Sequence, residues 1–525
     1  METHSPENET SPPTSSVTWW FRLRTICQLL AGMRRHDFRA ARTWINTMYP
    51  GTSRFARYTK FLIWSWHQLW RQIPETLANA TFAKPVSRTP YWLADGNPWE
   101  NHPWKDHPDA ALPARAHVVV IGAGFTGGSL AYHWGKHAPG DGNQSMVVLE
   151  MGDVSSGSSG RNEGLVVMGR YCHMVAGTVR KHLDAVRADL NAGQRDQLAR
   201  KFAVAYCRAA YRNGDLVERT IRDEGFDCDY ARQGWVQARD ADQQQSLAES
   251  VGLAKETGMT DWTSITPEEV RERTGMQVTH NAGFSIAAAS FHPAKWVFSL
   301  FRSALSTDRV QLYSRTRVIR VERVQNSYRV QTSRGFIECD FVVNATEAYT
   351  PLLHPQFHDR IRPTQTQAAS GTGGPAEIKP HVGISGARAF FARHGEAILV
   401  GSDATRVPDP EAGIIQPSRF ITAFVLGELR NYYGPSAVQV THEWSGTVSY
   451  TPDEYPIVGL MDGHRQYIIA GMAGSGTAVS FNGGRCIVNR ILGKTDEPDD
   501  YPVEYFAPSR LLDPQHHRWP DQKSE

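Results

Sequence analysis

What the sequence lacks narrows its class first. Its six cysteines, Cys27, Cys172, Cys207, Cys228, Cys339 and Cys486, are scattered over 525 residues, with no CxxC pair and no metal-ligand spacing. The expectation is therefore free thiols in a reducing, cytoplasmic setting, without a disulfide framework and without a metal site. No apolar run is long enough to span a bilayer. The opening METHSPENETSPPTSS is acidic and polar and lacks the apolar stretch of a signal peptide. The closing DQKSE is not a peroxisomal tripeptide. An excess of one charge is missing too: 56 Lys and Arg stand against 54 Asp and Glu. A net charge of +2 gives nucleic acid no electrostatic claim as a partner. No internal repeat is present.

What is there is a length that predicts two or three domains, and 44 glycines, several of them clustered. Residues 1–18 read as a disordered tail rich in Pro, Ser, Thr and Glu. Residues 19–85 read as a helical, amphipathic extension. Trp20, Leu23, Ile26, Cys27, Leu30 and Met33 recur at helical spacing, as do Phe61, Trp64, Leu69, Trp70 and Ile73. Such helices either pack on the main body or a second subunit, or lie on a membrane surface, where Trp and Arg suit the interface. Residues 86–114, rich in Pro, Trp and Asp, read as an extended lead-in.

The pattern then changes. His117 to Ile121 is a continuous apolar run, as in a strand buried on both faces. It enters Gly122-Ala123-Gly124-Phe125-Thr126-Gly127, and a helix-like SLAYHWGKH follows. A second apolar run ends at Glu150, followed by Met151. In this pattern Gly122 permits the tight turn, Gly124 lets the backbone approach a pyrophosphate, and Gly127 lets helix and strand pack closely. The phosphates sit at the helix N-terminus, and Glu150 can take ribose hydroxyls. The strand, helix and carboxylate agree on a dinucleotide site.

Two further segments point to FAD rather than NAD. Ser155 to Gly164, SSGSSGRNEG, can wrap a diphosphate and the edge of a flat ring. Tyr467 to Thr477, YIIAGMAGSGT, is another strand and glycine loop leading to a helix. Its N-terminus would face an acceptor that becomes anionic, such as the carbonyl edge of a reduced flavin.

With these motifs the chain resembles the D-amino acid oxidase (DAO) family of FAD oxidoreductases. It is most similar to the branch of glycine oxidase, monomeric sarcosine oxidase and gamma-glutamylputrescine oxidoreductase. The likeness is carried by VVVIGAGFTGGSLAYHW, SSGRNEG, DFVVNATEAYT, WSGTVSYTPDEYPIVG and IIAGMAGSGTAVSFNGGR, and covers roughly residues 88–495. It implies an α/β fold with a Rossmann-like (GR2-type) FAD-binding domain, discontinuous over 115–170, 308–350 and 440–495. An inserted α+β substrate domain, 171–307 and 351–439, would carry a mixed sheet over the flavin. Residues 496–525 remain as a C-terminal tail.

The resemblance implies cofactor contacts from Gly122, Ala123, Gly124, Phe125, Thr126, Gly127, Glu150 and Met151. It adds Ser158, Ser159, Arg161, Asn162 and Gly164, then Val318, Ala345 and Thr346. Gly471, Met472, Gly474, Ser475, Gly476 and Thr477 complete the set. It also implies hydride transfer from the C–N bond of a small amine or amino acid to flavin N5, with oxygen or another acceptor taking the electrons.

Departures from the family pattern matter as much. No cysteine lies between Trp444 and Pro452, where sarcosine oxidase-like members bond the flavin, and Arg161 stands where some dehydrogenase relatives have a histidine. Non-covalent FAD follows. Leu399 falls where oxidases of that type carry an oxygen-assisting lysine. Glu163 and Glu347 replace glycines, and both can be solvent-facing loop residues. The alternative for Glu163 is that it holds a substrate ammonium or takes its proton. The catalytic candidates are His173 as proton acceptor, Arg393 as carboxylate partner and Glu163, with Arg170, Tyr171 and His394 nearby in sequence. Two other functions remain open: a tailoring dehydrogenase acting on a larger amine, and a non-catalytic flavin-binding scaffold.

Overall fold

The computed structural model describes residues 17–32, 45, 53–140, 144–167, 172–259, 261–408, 413, 416–461, 464–494 and 501–520. Residues 1–16 of the tail expected over 1–18 and the candidates Arg170 and Tyr171 lie outside them.

Two sheets organise the chain. The first has eight strands, and five of them run parallel: Gln466–Ala470, Gly335–Asn344, Arg115–Ile121, Met146–Leu149 and Val310–Tyr313, in that spatial order. Numbered by appearance in the chain, this is the order 5-4-1-2-3, the arrangement of dinucleotide-binding α/β sheets. Val118 to Val120 and Met146 to Leu149 are sealed from solvent on both faces, which explains their unbroken apolar runs. Helices Phe125–His137, Pro293–Leu305 and Ser480–Ile491 contribute Leu130, Trp134, Val297, Phe301, Ile487 and Val488 to one core with this sheet. An antiparallel hairpin, Val318–Val324 with Ser327–Thr332, extends the edge of Gly335–Asn344.

The second sheet has nine strands of mixed direction. Its order is Thr81–Ser87, Val438–Tyr450, Arg362–Gly373, Ala397–Pro408, Phe390–His394, Gly383–Ser385, Trp235–Gln237, Ala282–Ser285 and Trp262–Ile265. Val438–Tyr450 pairs along its length with Arg362–Gly373. The stretch from 440 to 450, expected with the nucleotide-binding part, is therefore a strand of this mixed sheet.

Three other expectations change. The N-terminal extension holds helices Trp19–Gly32, Arg54–His67 and Ile73–Asn79, but ends in the edge strand Thr81–Ser87. Pro85 is tolerated there because an edge strand has an unpaired side. The lead-in is turn-rich and packed: Trp92 and Trp104 are buried, and their indole N–H groups donate to the Asn162 and Ser314 carbonyls, each at 2.7 Å. The C-terminal residues 501–520 are not a loose tail. Tyr501, Phe506, Leu511 and Trp519 are buried, with Phe506 packed on Phe202 and Tyr206 of the long helix Ala192–Glu224. Aromatics spaced among prolines in a polar segment hid this core contribution from the composition.

Candidate functional site

The first parallel strand and the fourth pair side by side up to Ile121 and Asn344, and the strand order reverses between them. Open α/β sheets bind ligands at such a switch of strand order. Gly122 turns there with φ of 110°, and a Cβ on it would stand 2.4 Å from the Ala345 carbonyl oxygen. A Cβ on Gly127 would stand 1.9 Å from the Gly122 carbonyl oxygen, so the helix lies directly against the turn. The Phe125 amide, in the first turn of helix Phe125–His137, donates to the Ser159 hydroxyl at 2.8 Å. An oxygen acceptor thus already stands where the helix end favours negative charge.

Glu150 ends the second strand and accepts from the Ala123 and Gly152 amides at 2.8 Å each. Burial pushes its carboxyl up from the usual range, and those amides oppose the shift. Its orientation is fixed from the backbone side, which leaves acceptor capacity for sugar hydroxyls.

The serine–glycine loop is organised from within. Asn162 donates to the Ser158 and Ser159 carbonyls and accepts from the Gly164 amide. Arg161 donates to the Ser156 carbonyl at 2.8 Å and the Ser445 carbonyl at 2.9 Å, tying this loop to strand Val438–Tyr450. Burial pulls Arg161 below its usual range, while the Tyr349 phenol works in the opposite direction.

Glu347 is not a solvent-facing loop residue. Its carboxylate accepts from the Ser449 hydroxyl at 2.7 Å, the Ser449 amide at 3.2 Å and the Met472 amide at 3.0 Å. Burial raises this carboxyl, and these donors counter the rise. It clamps the mixed sheet to the loop after strand Gln466–Ala470. The helix beyond that loop is not open at its start, as the sequence suggested. Asn213, from helix Ala192–Glu224, accepts the Phe481 and Asn482 amides at 3.1 and 3.0 Å and donates to the Thr477 carbonyl at 2.6 Å. Loop residues 472–477 line the site, and of this helix Ser480 at its start joins them.

These parts enclose one cavity of about 1610 Å³. That exceeds the ~300–1,000 Å³ of sites for a single drug-sized ligand, leaving room for a dinucleotide and a second molecule. The expected cofactor residues from Gly122 to Thr126, Glu150, Met151, Ser158, Ser159, Arg161, Asn162, Val318, Ala345, Thr346, Met472 and Gly474 to Thr477 line it. Gly127, Gly164 and Gly471 stand behind the wall. A Cβ on them would meet the Gly122 carbonyl, the Trp92 ring and Thr451, respectively.

The far end of the cavity is polar and was missed. Gln237, Arg239, Asp240, Asp242 and Gln243 line it together with Arg388 and Ser402. Parallel pairing of Trp235–Gln237 with Gly383–Ser385 brings the two segments together. Arg388 contacts Asp240 at 3.4 Å, and its buried Nε has no partner among the described residues. The run RDAD directly after strand Trp235–Gln237 was the one signal available.

Of the catalytic candidates among the described residues, only Glu163 lines the cavity. Helix Cys172–Val186 turns Met174 toward it, whereas His173 is half-exposed and pairs with Glu249 at 3.2 Å. Arg393 is outside the lining and donates to the Pro375 carbonyl at 2.8 Å. His394 packs edge-on against Trp92, and burial brings it down to about 4. Leu399 is fully buried in the apolar core. Among the described lining residues there is no histidine, cysteine or lysine. No group of described residues could hold a metal ion, and no described helix is long and apolar enough to cross a membrane.

Residues 117–490 match the family model described as FAD dependent oxidoreductase (DAO). The gamma-glutamylputrescine oxidoreductase of Escherichia coli is 20% identical over 414 residues, covering 73% of this chain and 85% of that protein. A mouse (Mus musculus) protein, the mitochondrial pyruvate dehydrogenase phosphatase regulatory subunit, is 28% identical over 242 residues. That match takes in 45% of this chain and only 23% of the mouse protein. Among solved structures, the L-proline dehydrogenase of P. horikoshii superposes with a TM-score of 0.58 at 20% identity, covering 76% of this chain and 98% of that one.

Proposed function

Because the chain belongs to the DAO family of FAD-dependent oxidoreductases, we propose that it removes a hydride from the C–N bond of a small amino acid. The observation that carries this reading is the polar part of the cavity lining, where the Arg388 guanidinium stands beside the Asp240 carboxylate. A guanidinium matches the two oxygens of a carboxylate, and Asp240 beside it suits an ammonium. In this reading the parallel sheet forms the cofactor domain and the mixed sheet covers its reacting face. Gamma-glutamylputrescine oxidoreductase and L-proline dehydrogenase, similar in sequence and in fold respectively, are named for amine and amino-acid chemistry.

The residues fit FAD: a glycine turn that a Cβ would block, a helix start carrying an oxygen acceptor, and a backbone-oriented carboxylate at the second strand's end. Bound there, FAD supplies the hydride acceptor. The holding is non-covalent, because the described lining residues offer no cysteine or histidine to bond a flavin. Arg388 orients the substrate carboxylate. Glu163, lining the cavity from the serine–glycine loop, takes the proton that the substrate ammonium must lose before its Cα–H can leave as hydride.

The test is anaerobic bleaching of the flavin band by a panel of amino acids and amines. An amino acid should bleach it, and the amine of the same side chain should not. A panel that leaves the band unchanged would overturn the reading. Arg388→Leu should lower kcat/KM for the amino acid by about 10- to 150-fold, the worth of a hydrogen bond to a charged group, mainly through KM. Glu163→Gln should lower kcat at neutral pH, with the loss shrinking at high pH, where the amine is already neutral. A pH-independent loss would remove Glu163 from proton transfer.

A further inference from the structure

We infer that the N-terminal helices Trp19–Gly32 and Arg54–His67 dock the protein on the surface of an anionic lipid bilayer. Helix Arg54–His67 is amphipathic in the wrong sense for a helix serving only the core. Phe55, Thr59, Leu62, Ile63 and Trp66 recur at intervals of four, three, one and three residues, so they share one face. That face points outward: Phe55 is 83% exposed, Leu62 63%, Ile63 67% and Trp66 61%. The inner side rests on the body through Trp64, whose ring meets Phe424 edge-on at 6.2 Å. Helix Trp19–Gly32 adds Trp20 at 75% and Leu30 at 50% exposure. Half of the described large apolar side chains that stay exposed lie on these two helices, a concentration rather than the single exposed residues normal on a surface.

Charge selects the occupant. Between residues 19 and 73 the sequence holds ten Lys or Arg and a single acid, Asp37, in a chain whose total net charge is only +2. Arg54 and Lys60 lie on the same helix as the apolar stripe. Tryptophan beside arginine and lysine is the composition of helices that lie in the headgroup region, where apolar rings enter the acyl boundary and cations meet lipid phosphates. A second copy of this chain is the poorer partner. A symmetric dimer would set the same cationic patch against itself.

Anchoring of the helices to the enzyme body supports a docking role for the whole protein. Arg22 bonds Glu75 at 2.9 Å, and Gln72 donates to the buried Glu428 at 3.2 Å. A Cβ on Gly427 would overlap the Gln72 side chain, so this contact is close-packed.

The test is flotation of the full FAD-loaded chain with vesicles of phosphatidylcholine alone or with phosphatidylglycerol added. The protein should float with the anionic vesicles at low salt, and less at high salt. The neutral triple variant Phe55→Asn, Leu62→Gln, Ile63→Gln should keep its flavin and float at least about tenfold less. Quenching of tryptophan fluorescence in the unaltered protein by brominated anionic lipid checks the same contact without any variant. Three results would overturn the inference: no flotation of the unaltered protein, equal flotation of the triple variant, or a solution dimer that the triple variant dissociates while neither form binds vesicles.

Discussion

Gly127→Ala is expected to give a protein that purifies without its flavin, while Gly128→Ala, one residue on, should stay yellow. The two positions share a helix and a chemistry, and differ in what a methyl group would meet. At Gly127 it would lie 1.9 Å from the Gly122 carbonyl oxygen and 2.9 Å from its carbon, both backbone atoms of the nucleotide turn. Neither can rotate away, so the helix must move off the strand. At Gly128 the neighbours are side-chain carbons of Leu300, Val297 and Phe301 at 3.4–3.5 Å, an ordinary contact distance. Backbone overpacking of the first kind costs about 3 kcal/mol or more, which is about 150-fold in flavin affinity. At Gly128 the alanine gains up to about 1 kcal/mol of helix propensity. Flavin absorbance relative to protein, and titration of the apoprotein, check both. A yellow Gly127→Ala variant would show that this contact does not set the cofactor site.

The second large effect lies far from the cofactor. Arg510→Met should destabilise the protein by about 3–5 kcal/mol, the cost of stranding a buried charge, and lower the melting temperature by about 3–5 °C. Arg510 and Asp453 are both about 1% exposed and meet at 2.6 and 3.1 Å. Burial would push the Asp453 carboxyl up, but the charge and hydrogen bonds of Arg510 prevail and hold it below the usual range. Its contribution is therefore present above the unfolded pKa of about 3.9 and is lost as pH falls through the lower folded value. In the variant the main opposition to burial is gone and only His182, the Tyr455 amide and the Thr451 hydroxyl still favour the carboxylate, so the penalty appears as pH rises above about 4 and the two proteins converge toward acid. The double variant Asp453→Asn, Arg510→Met should recover part of the loss, because no charge is left buried. Thermal melts of the three proteins at neutral and acidic pH measure all of this.

The nucleotide half of the site was legible because its signals are local. The turn, the strand before it and Glu150 lie within one stretch of chain, and close packing leaves no residue but glycine at 122 and 127. The proposed substrate half was not. Asp240 and Arg388 are 148 residues apart, and a parallel strand pairing that no local pattern announces brings them together. His173 and Arg393 were chosen for their chemistry, but helix rotation and strand alternation decide which way a side chain points. Asn213 reads as an ordinary polar residue in a long helix, and only tertiary packing makes it the cap of another. Glu163 stands out in the sequence because it replaces a glycine of the family pattern, in a segment that lines the cavity.

The sheet order also has a consequence for biosynthesis. The strand Gly335–Asn344 is flanked by Arg115–Ile121, made more than 200 residues earlier, and by Gln466–Ala470, made more than 100 residues later. A ribosome-bound chain that has emerged only to residue 340 has the glycine turn but neither its Ala345 neighbour nor the loop after residue 470. Its strand Arg115–Ile121 can pair with Met146–Leu149 but must wait with its other edge incompletely covered, which is the kind of surface that chaperones cover. Flavin capture is thus an event that follows completion of the chain, and supply of the cofactor during synthesis should not rescue fragments that stop before residue 470.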